Sequence, residues 1–505
     1  MTEEEFSILN LHGQSYDPEG TEAFYLDLNL LQIIERAIAN WGVGVKKYYM
    51  YLPESAEETA YRRAVYGDVK KDAVYEALVA YTKQLAGVAE LRREKEATTS
   101  PMRRTIWRIR ETEAYCNAYE TLARALEQAD LASDGMIRFR GILQSILADE
   151  EYLAMREQTS RLLGEIRALR FVVTYDRERM SVELRELPER GAYDEWLDSV
   201  SGVTAGASSL LQNPFKADPG VTEMEQACVN ILMKKKPEFF RELKAMAENE
   251  TDCRRQELTR FEQEILFYLS FATLQRDMEK AGFAFATPDT DENKRMEATG
   301  LYDLALALAS RTSGKTVIPN DFYYGEGDRF FVLTGPNQGG KTTFARSLGQ
   351  LVYFSMMGLD VPAKAACVHF FPSIQTHFSV EESIETGRGK LMEELVRLAP
   401  MMGTHRQGSF VVINELFTTA ANYDAQIMGK RVLDHFVGLG CMGIYVTHIK
   451  ELADERKGVV SLRAMLNDRG IQTFEIRRGE AEDTACAINQ VNKYRLTYEQ
   501  LKERL

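Results

Sequence analysis

The hydrophobic and polar positions of this chain follow two different patterns, and the change falls near residue 286. From about residue 20 to residue 285, apolar residues recur at helical spacing among Glu, Arg, Lys and Ala, and no proline occurs between Pro101 and Pro188. This pattern is typical of long amphipathic helices. Residues 238–281 contain neither Gly nor Pro, although the polar group 249–252 indicates a break into two helices. We therefore predict a mainly α-helical domain over residues 1–285, with helices long enough to form an arm or lever.

One segment of this half departs from the helical pattern. Residues 171–186 alternate apolar and polar positions on both sides of a polar turn. Alternation of this kind predicts a β-hairpin. Residues 202–220 are predicted to form a loop.

After residue 286 short apolar runs alternate with helical segments. The runs FFVLTG (330–335), SFVVINE (409–415) and GIYVTH (443–448) have the near-continuous hydrophobicity of strands that are buried on both faces. Such an alternation predicts an α/β domain with a largely parallel sheet. We expect residues 286–300 to be a polar connector and the α/β domain to occupy residues 286–505.

The first of these strands leads into a glycine-rich loop, GPNQGGKTT, which fits the phosphate-binding pattern GxxxxGK[ST]. In that pattern backbone N–H groups surround the phosphates, Lys341 reaches the β and γ oxygens, and the Thr342 hydroxyl is placed for Mg²⁺. The loop therefore predicts binding of ATP with Mg²⁺. The predicted nucleotide-binding residues are Gly335, Pro336, Asn337, Gln338, Gly339, Gly340, Lys341, Thr342 and Thr343.

Two further strands end in polar residues at the edge of the sheet where this loop is expected. Asn414 and Glu415 follow one apolar run, and we predict that Glu415 positions the attacking water while Asn414 helps to hold the metal. Because an amide carries no negative charge, Mg²⁺ should bind less tightly there than beside a carboxylate. His448 ends another strand, where it could read the γ-phosphate or serve as a packing residue.

The composition indicates the cell compartment of the protein but does not decide whether it binds nucleic acid. The formal charge of −14 excludes a uniformly basic surface but allows Lys and Arg to be confined to one face. Six scattered cysteines without CxxC spacing favour reduced thiols in the cytoplasm, without disulfides or structural zinc. We see no signal peptide and no apolar stretch long enough to span a bilayer, so no membrane partner is expected.

In order and spacing, these motifs resemble the ATPase domain of the MutS family of DNA mismatch-repair proteins. The resemblance rests on the glycine-rich loop, the 409–415 strand and the segments VIPND (317–321), GRGKLMEEL (387–395), Asn422–Asp424 and YVTHIKEL (445–452). It implies an ABC-like P-loop ATPase domain preceded by a helical core and lever or clamp, acting as a homodimer on duplex or branched DNA. It also implies that Gly387, Arg388, Gly389 and Lys390 form a signature that addresses the nucleotide bound by the opposite subunit.

The sequence also departs from the family pattern. Asn414 replaces the usual Asp, Gly389 stands where Ser is usual, and LFTTA (416–420) replaces a more glycine-rich run. These changes affect residues that the family uses for ATP hydrolysis. In addition, nothing before residue 285 resembles the mismatch-reading domain. An ATP-driven DNA clamp is therefore the leading hypothesis, and a nucleotide-gated scaffold with little turnover is the alternative. A P-loop enzyme acting on a small molecule is a third, for which the sequence offers no motif.

Two basic clusters and the hairpin are the candidate DNA contacts in the helical half. Residues 102–110 and 233–237 could contact phosphates, with Trp107 placed to stack on a base. Acidic residues close to both clusters favour solvated helix faces instead. For the hairpin, a clamp tip and a purely structural element both remain open.

Overall fold

A computed structural model of the protein describes residues 6–11, 23–98, 100–169, 171–176, 179–184, 223–248, 255–290, 296–314, 316–378, 389–403, 407–454, 456–468, 470–480 and 502. The loop predicted at residues 202–220 lies outside these ranges, as do Gly387 and Arg388.

The described α-helices and β-strands are as follows in chain order. The helices are α1 (Ala23–Asp27), α2 (Leu30–Ile38), α3 (Lys46–Tyr49), α4 (Ala56–Val69), α5 (Asp72–Ala97), α6 (Pro101–Gln128), α7 (Asp134–Leu147), α8 (Glu150–Ala168), α9 (Glu223–Lys235), α10 (Pro237–Glu248), α11 (Gln256–Lys280), α12 (Leu304–Ser313), α13 (Lys341–Met356), α14 (Lys390–Leu398) and α15 (Asn422–Gly438). The strands are β1 (Phe171–Asp176), β2 (Arg179–Leu184), β3 (Met296–Leu301), β4 (Asn320–Tyr324), β5 (Phe330–Thr334), β6 (Ala365–Cys367), β7 (Ile374–Phe378), β8 (Phe410–Asn414), β9 (Met442–Val446), β10 (Val459–Leu466) and β11 (Gln472–Arg478). Within the described ranges no helix combines the length and hydrophobicity that crossing a membrane requires.

The chain divides into two compact units. The sheet unit comprises Met1–Lys70, Ser133–Gly135 and Gln263–Leu505, and the helical unit comprises Lys71–Ala132 and Met136–Glu262. The change of sequence pattern near residue 286 separates a mainly helical part of the sequence from an α/β part, whereas the compact units group the first 70 residues with the sheet.

A six-stranded sheet with the order β11-β10-β5-β9-β8-β7 forms the centre of the sheet unit. All of its neighbouring strands are parallel except β10 and β11, which are antiparallel. Every residue of β5, β8 and β9 is buried, because helices cover both faces of a parallel sheet. The predicted, largely parallel sheet and its three buried strands are therefore confirmed.

A second sheet corrects the expectation of a polar connector at residues 286–300. Met296–Leu301 forms β3, the central strand of an antiparallel sheet with the order β4-β3-β6. Met296 and Ala298 are buried and alternate with more exposed residues, which is the period of a strand. The charged residues just before β3 obscured this short alternation.

The N-terminal helices pack on α13, the helix that follows the glycine-rich loop. Gln350 Nε2 donates to the carbonyl oxygen of Leu28 at 3.0 Å, and the Tyr353 hydroxyl donates to that of Tyr49 at 2.7 Å. A Cβ on Gly349 would lie 2.5 Å from Leu28 Cδ2, so a larger residue there would displace the buried Leu28 side chain. The first helices are thus part of the structure that supports the candidate site.

Asp27, at the end of α1, connects three elements of the sheet unit. Its carboxylate accepts hydrogen bonds from Thr376 Oγ1 at 2.6 Å and from the guanidinium of Arg397, and its carbonyl oxygen accepts from Arg346 Nε at 2.9 Å. Burial raises the pKa of Asp27, and the bonds from Thr376 and Arg397 oppose that rise. These contacts join α1 to β7, α13 and α14.

The helical unit contains the predicted hairpin and the first helix of the predicted pair, whereas most of the second helix, α11, belongs to the sheet unit. β1 and β2 are antiparallel, with Phe171 opposite Leu184, and α10 and α11 lie on either side of residues 249–254. Ile109 is buried and Trp107 is half-buried, with the Arg110 guanidinium 5.2 Å from the centre of its ring. The cluster at residues 102–110 therefore contributes in part to the core.

A nearly buried ion pair in this unit gives a pH-dependent stability prediction. Glu111 Oε1 accepts from Arg92 Nε at 2.9 Å, and Oε2 accepts from Lys95 Nζ at 2.6 Å. Burial alone would raise the pKa of Glu111, but the Lys95 and Arg92 hydrogen bonds bring it below its ordinary value. A lowered carboxyl pKa stabilises the fold above the unfolded pKa, and that contribution is lost as the pH falls through the folded pKa.

We therefore expect Glu111→Gln to cost about 1–3 kcal/mol of unfolding free energy at pH 7. In urea titrations at decreasing pH, the difference from wild type should shrink below about pH 4, the region of the ordinary glutamate pKa. Glu242→Gln is the control, because Glu242 pairs with Arg161 at the surface. A pH-independent difference would contradict the assignment to this ion pair.

Candidate nucleotide site

The glycine-rich loop follows β5 directly and leads into α13, as the motif requires. Lys341 is buried, and its ammonium group donates to the carbonyl oxygens of Gly335 at 2.9 Å and Pro336 at 3.0 Å. Gly335 has φ 129°, Gln338 has φ 62° and Gly340 has φ 86°, so three residues of the loop have positive φ. The loop thus curls around the one ammonium group that the motif places there.

Residues of β10 and β11 contact this loop. A Cβ on Gly335 would lie 3.0 Å from Ala464 Cβ, and Gln472 Nε2 donates to the carbonyl oxygen of Asn337 at 2.7 Å. Sequence reasoning missed Ala464 and Gln472, because both lie more than 120 positions from the loop and carry no motif of their own.

The two residues predicted to hold a metal meet beside the loop. Thr342 Oγ1 donates to Asn414 Oδ1 at 3.0 Å. A hydroxyl and an amide oxygen fit Mg²⁺, which prefers oxygen ligands. Both are uncharged, and the described residues contain no group of three His, Cys, Asp or Glu side chains that could hold a metal ion. The pair therefore suits a metal ion that binds together with a triphosphate, because the triphosphate supplies the negative charge that these two residues lack.

The two predicted catalytic residues are also brought together. Glu415 follows β8 and His448 follows the neighbouring β9, with Glu415 Oε1 2.9 Å from His448 Nε2. The His448 hydrogen bond lowers the pKa of Glu415 against the opposing effect of burial, and the charges of His448, Lys341 and Lys390 lower it further. Glu415 is therefore an ionised, partly exposed hydrogen-bond acceptor at the carboxyl edge of the sheet.

The described part of the predicted signature opens α14. Gly389 precedes the helix and Lys390 is its first residue. The Lys390 charge contributes to lowering the pKa of Glu415 in the same chain. The trans role predicted for Gly387–Lys390 concerns a second chain and stays a prediction.

Exposed apolar side chains occur on two helices that begin at this end of the sheet. On α14 they are Met392, Leu395 and Val396, and on α15 they are Tyr423 and Ile427. Their exposed fractions include 54% for Met392 and 72% for Tyr423, which is high for large apolar residues.

The fold and the site define an α/β domain with a glycine-rich loop at the carboxyl edge of a mainly parallel sheet. Residues 331–483 match the family described as MutS domain V. In this region the chain is a relative of the MutS proteins.

Individual relatives agree with this assignment. The chain is 28% identical over 221 residues to the DNA mismatch repair protein MutS of Dinoroseobacter shibae, a match that covers 42% of this chain and 25% of that protein. It is 30% identical over 195 residues to the DNA mismatch repair protein MSH6 of Arabidopsis thaliana, covering 38% of this chain and 15% of that protein. The similarity to MSH3 of the same plant is 29% over 143 residues, covering 28% and 13%. The matched region thus spans a quarter or less of each relative's length.

Proposed function

We propose that the protein is an ATP-dependent DNA-binding protein of the MutS type, which closes as a dimer around DNA when ATP binds and reopens after hydrolysis. The observation that carries the proposal is the meeting of two residue pairs, Thr342 with Asn414 and Glu415 with His448, at the edge of the sheet where the glycine-rich loop lies.

Each residue has a defined task in this proposal. Residues 335–343 bind the triphosphate, and the Lys341 ammonium group exchanges its two loop carbonyl oxygens for phosphate oxygens. Thr342 and Asn414 would hold Mg²⁺, which neutralises phosphate charge when bound. Glu415 accepts a hydrogen bond from the attacking water, and His448 orients the Glu415 carboxylate.

The proposed dimer is supported by the exposed apolar residues on α14 and α15. A contiguous contact made by side chains such as Met392 and Tyr423 would remove them from water on association. The segment Gly387–Lys390 of one protomer would then complete the site of its partner. ATP drives closure only if it binds the closed dimer more tightly than the open form.

The proposed DNA contact has to be local, because the whole chain carries a charge of −14. Lys234, Lys235 and Lys236 are exposed at the end of α9 and directly after it. The relatives are named as DNA mismatch repair proteins, which supports nucleic acid as the partner.

ATP turnover and DNA binding test the proposal together. Turnover is measured with and without duplex and branched DNA, with Lys341→Ala as the blank, and DNA anisotropy is followed at increasing salt. DNA-stimulated turnover that the variant lacks, with affinity that falls as salt rises, is the expected result. Absence of DNA binding at low salt with ATP present would overturn the DNA clamp.

A nucleotide-gated scaffold with little turnover is the second candidate, favoured by Asn414 and Gly389. Asn414→Asp separates the two functions. If the site is a working ATPase, we expect unchanged or lower turnover, because such a site already supports hydrolysis with the uncharged Asn414 beside Thr342. The measurement is steady-state turnover across a Mg²⁺ titration. Asn230→Asp, which adds the same charge on α9 of the helical unit, is the control. A large gain in turnover with Asn414→Asp would favour the scaffold.

A further inference from the structure

The turn after β8 holds the Glu415 side chain in place by an unusual backbone conformation. Glu415 has φ 56° and Phe417 has φ 63°, so two non-glycine residues within three positions lie in the left-handed region. Such a conformation is strained for a residue with a side chain and persists only where the surroundings hold it. The N–H of Glu415 is held by the carbonyl oxygen of Val446 at 3.0 Å, and the N–H of Phe417 by Glu394 Oε2, also at 3.0 Å.

Glu394 is a costly residue at its position. Its exposed fraction is 0%, and within the described structure its Oε1 atom has no hydrogen-bond partner. Burial raises the pKa of Glu394, while the Phe417 N–H and the Lys390 charge oppose that rise. An apolar side chain of similar size would avoid this desolvation. A methionine at this position would fill the same space but could not accept the hydrogen bond from the Phe417 N–H. This hydrogen bond is therefore what a glutamate adds at this position.

Glu394 also joins two parts of the candidate site. It lies on α14, the helix that Lys390 begins, and Lys390 acts electrostatically on both Glu394 and Glu415. At its other end α14 is tied by Arg397 to Asp27 and to the carbonyl oxygen of Phe378. A shift of α14 would consequently pull on the Phe417 N–H, two residues from the Glu415 carboxylate.

We propose that Glu394 is a positioning residue that couples the placement of α14 to the orientation of Glu415, through its hydrogen bond to the Phe417 N–H. The catalytic consequence rests on the function proposed above. A partner that presses on the exposed residues of α14 would reach Glu415 by this route.

Two substitutions separate the hydrogen bond from the charge. Glu394→Gln keeps an oxygen that accepts from Phe417, whereas Glu394→Met keeps the length and removes the acceptor. We expect Glu394→Gln to turn over ATP within about threefold of wild type. Glu394→Met should lose about tenfold or more in turnover, because a misplaced catalytic group is costly, and its affinity for ATP should stay within about threefold. Equal turnover in Glu394→Met and wild type, or equal losses in both variants, would overturn the proposal.

Hydrogen exchange of the Phe417 amide, followed by mass spectrometry without nucleotide, tests the contact independently of turnover. The amide should exchange slowly in wild type and in Glu394→Gln, and faster in Glu394→Met. Rapid exchange of this amide in wild type would overturn the proposal even if Glu394→Met fails to fold. If wild type shows a slow Phe417 amide but no ATP turnover, the proposed hydrolysis fails while the positioning contact stands.

Discussion

Replacing Lys341 by alanine is expected to abolish ATP turnover and to weaken ATP binding about 10- to 100-fold, which corresponds to about 1.5–3 kcal/mol for a lost charged hydrogen bond. The ammonium group is buried and already bonded to the loop carbonyls of Gly335 and Pro336. Without this ammonium group, the two loop carbonyl oxygens lose a hydrogen-bond donor and the triphosphate loses a positive charge. Equilibrium binding of a fluorescent ATP analogue and steady-state turnover measure the two effects.

Lys430→Ala is the control for Lys341→Ala, because Lys430 is an exposed lysine on α15 of the same unit. It should bind and turn over ATP as wild type does. If Lys341→Ala retained wild-type affinity, the glycine-rich loop would not be the triphosphate site, and the assignment of residues 335–343 would be wrong.

Glu415→Gln is expected to lower turnover by about 100-fold or more while ATP affinity stays within about threefold of wild type. Glutamine retains the shape of the side chain and an atom that can pair with His448. It loses the negative charge that the low pKa of Glu415 maintains and that polarises the attacking water. Single-turnover hydrolysis, measured beside equilibrium binding, separates the chemical step from the binding step.

Glu326→Gln is the matched control, since Glu326 is exposed in the turn before β5, at the opposite end of that strand from the loop. Unchanged turnover in Glu415→Gln would mean that another group positions the water. In the scaffold alternative Glu415→Gln changes little, because there is little turnover to lose, whereas Lys341→Ala still weakens ATP binding. The two variants together therefore discriminate between the two candidate functions.

Local sequence was sufficient for the parts of this protein in which neighbours along the chain determine the structure. β5, β8 and β9 are continuous apolar runs because a parallel sheet covered on both faces leaves no polar side. The hairpin at residues 171–184 follows from period-two alternation, and the glycine-rich loop from its spacing. Since the carboxyl ends of parallel strands share one edge, the neighbourhood of Glu415 and His448 was also predictable.

Tertiary structure alone decided which distant residues complete the site. Asp27 contacts α13 and α14, which lie more than 300 positions away in the sequence. Ala464 and Gln472 contact the glycine-rich loop, although both lie far from it in the sequence. Glu394 accepts a hydrogen bond from the N–H of Phe417, which follows the next strand along the chain. The first 70 residues likewise join the sheet unit although their sequence resembles that of the other helices. A hydrophobic period records which face of an element is buried, but it does not record the partner that covers that face. Only packing of the whole chain selects the partner.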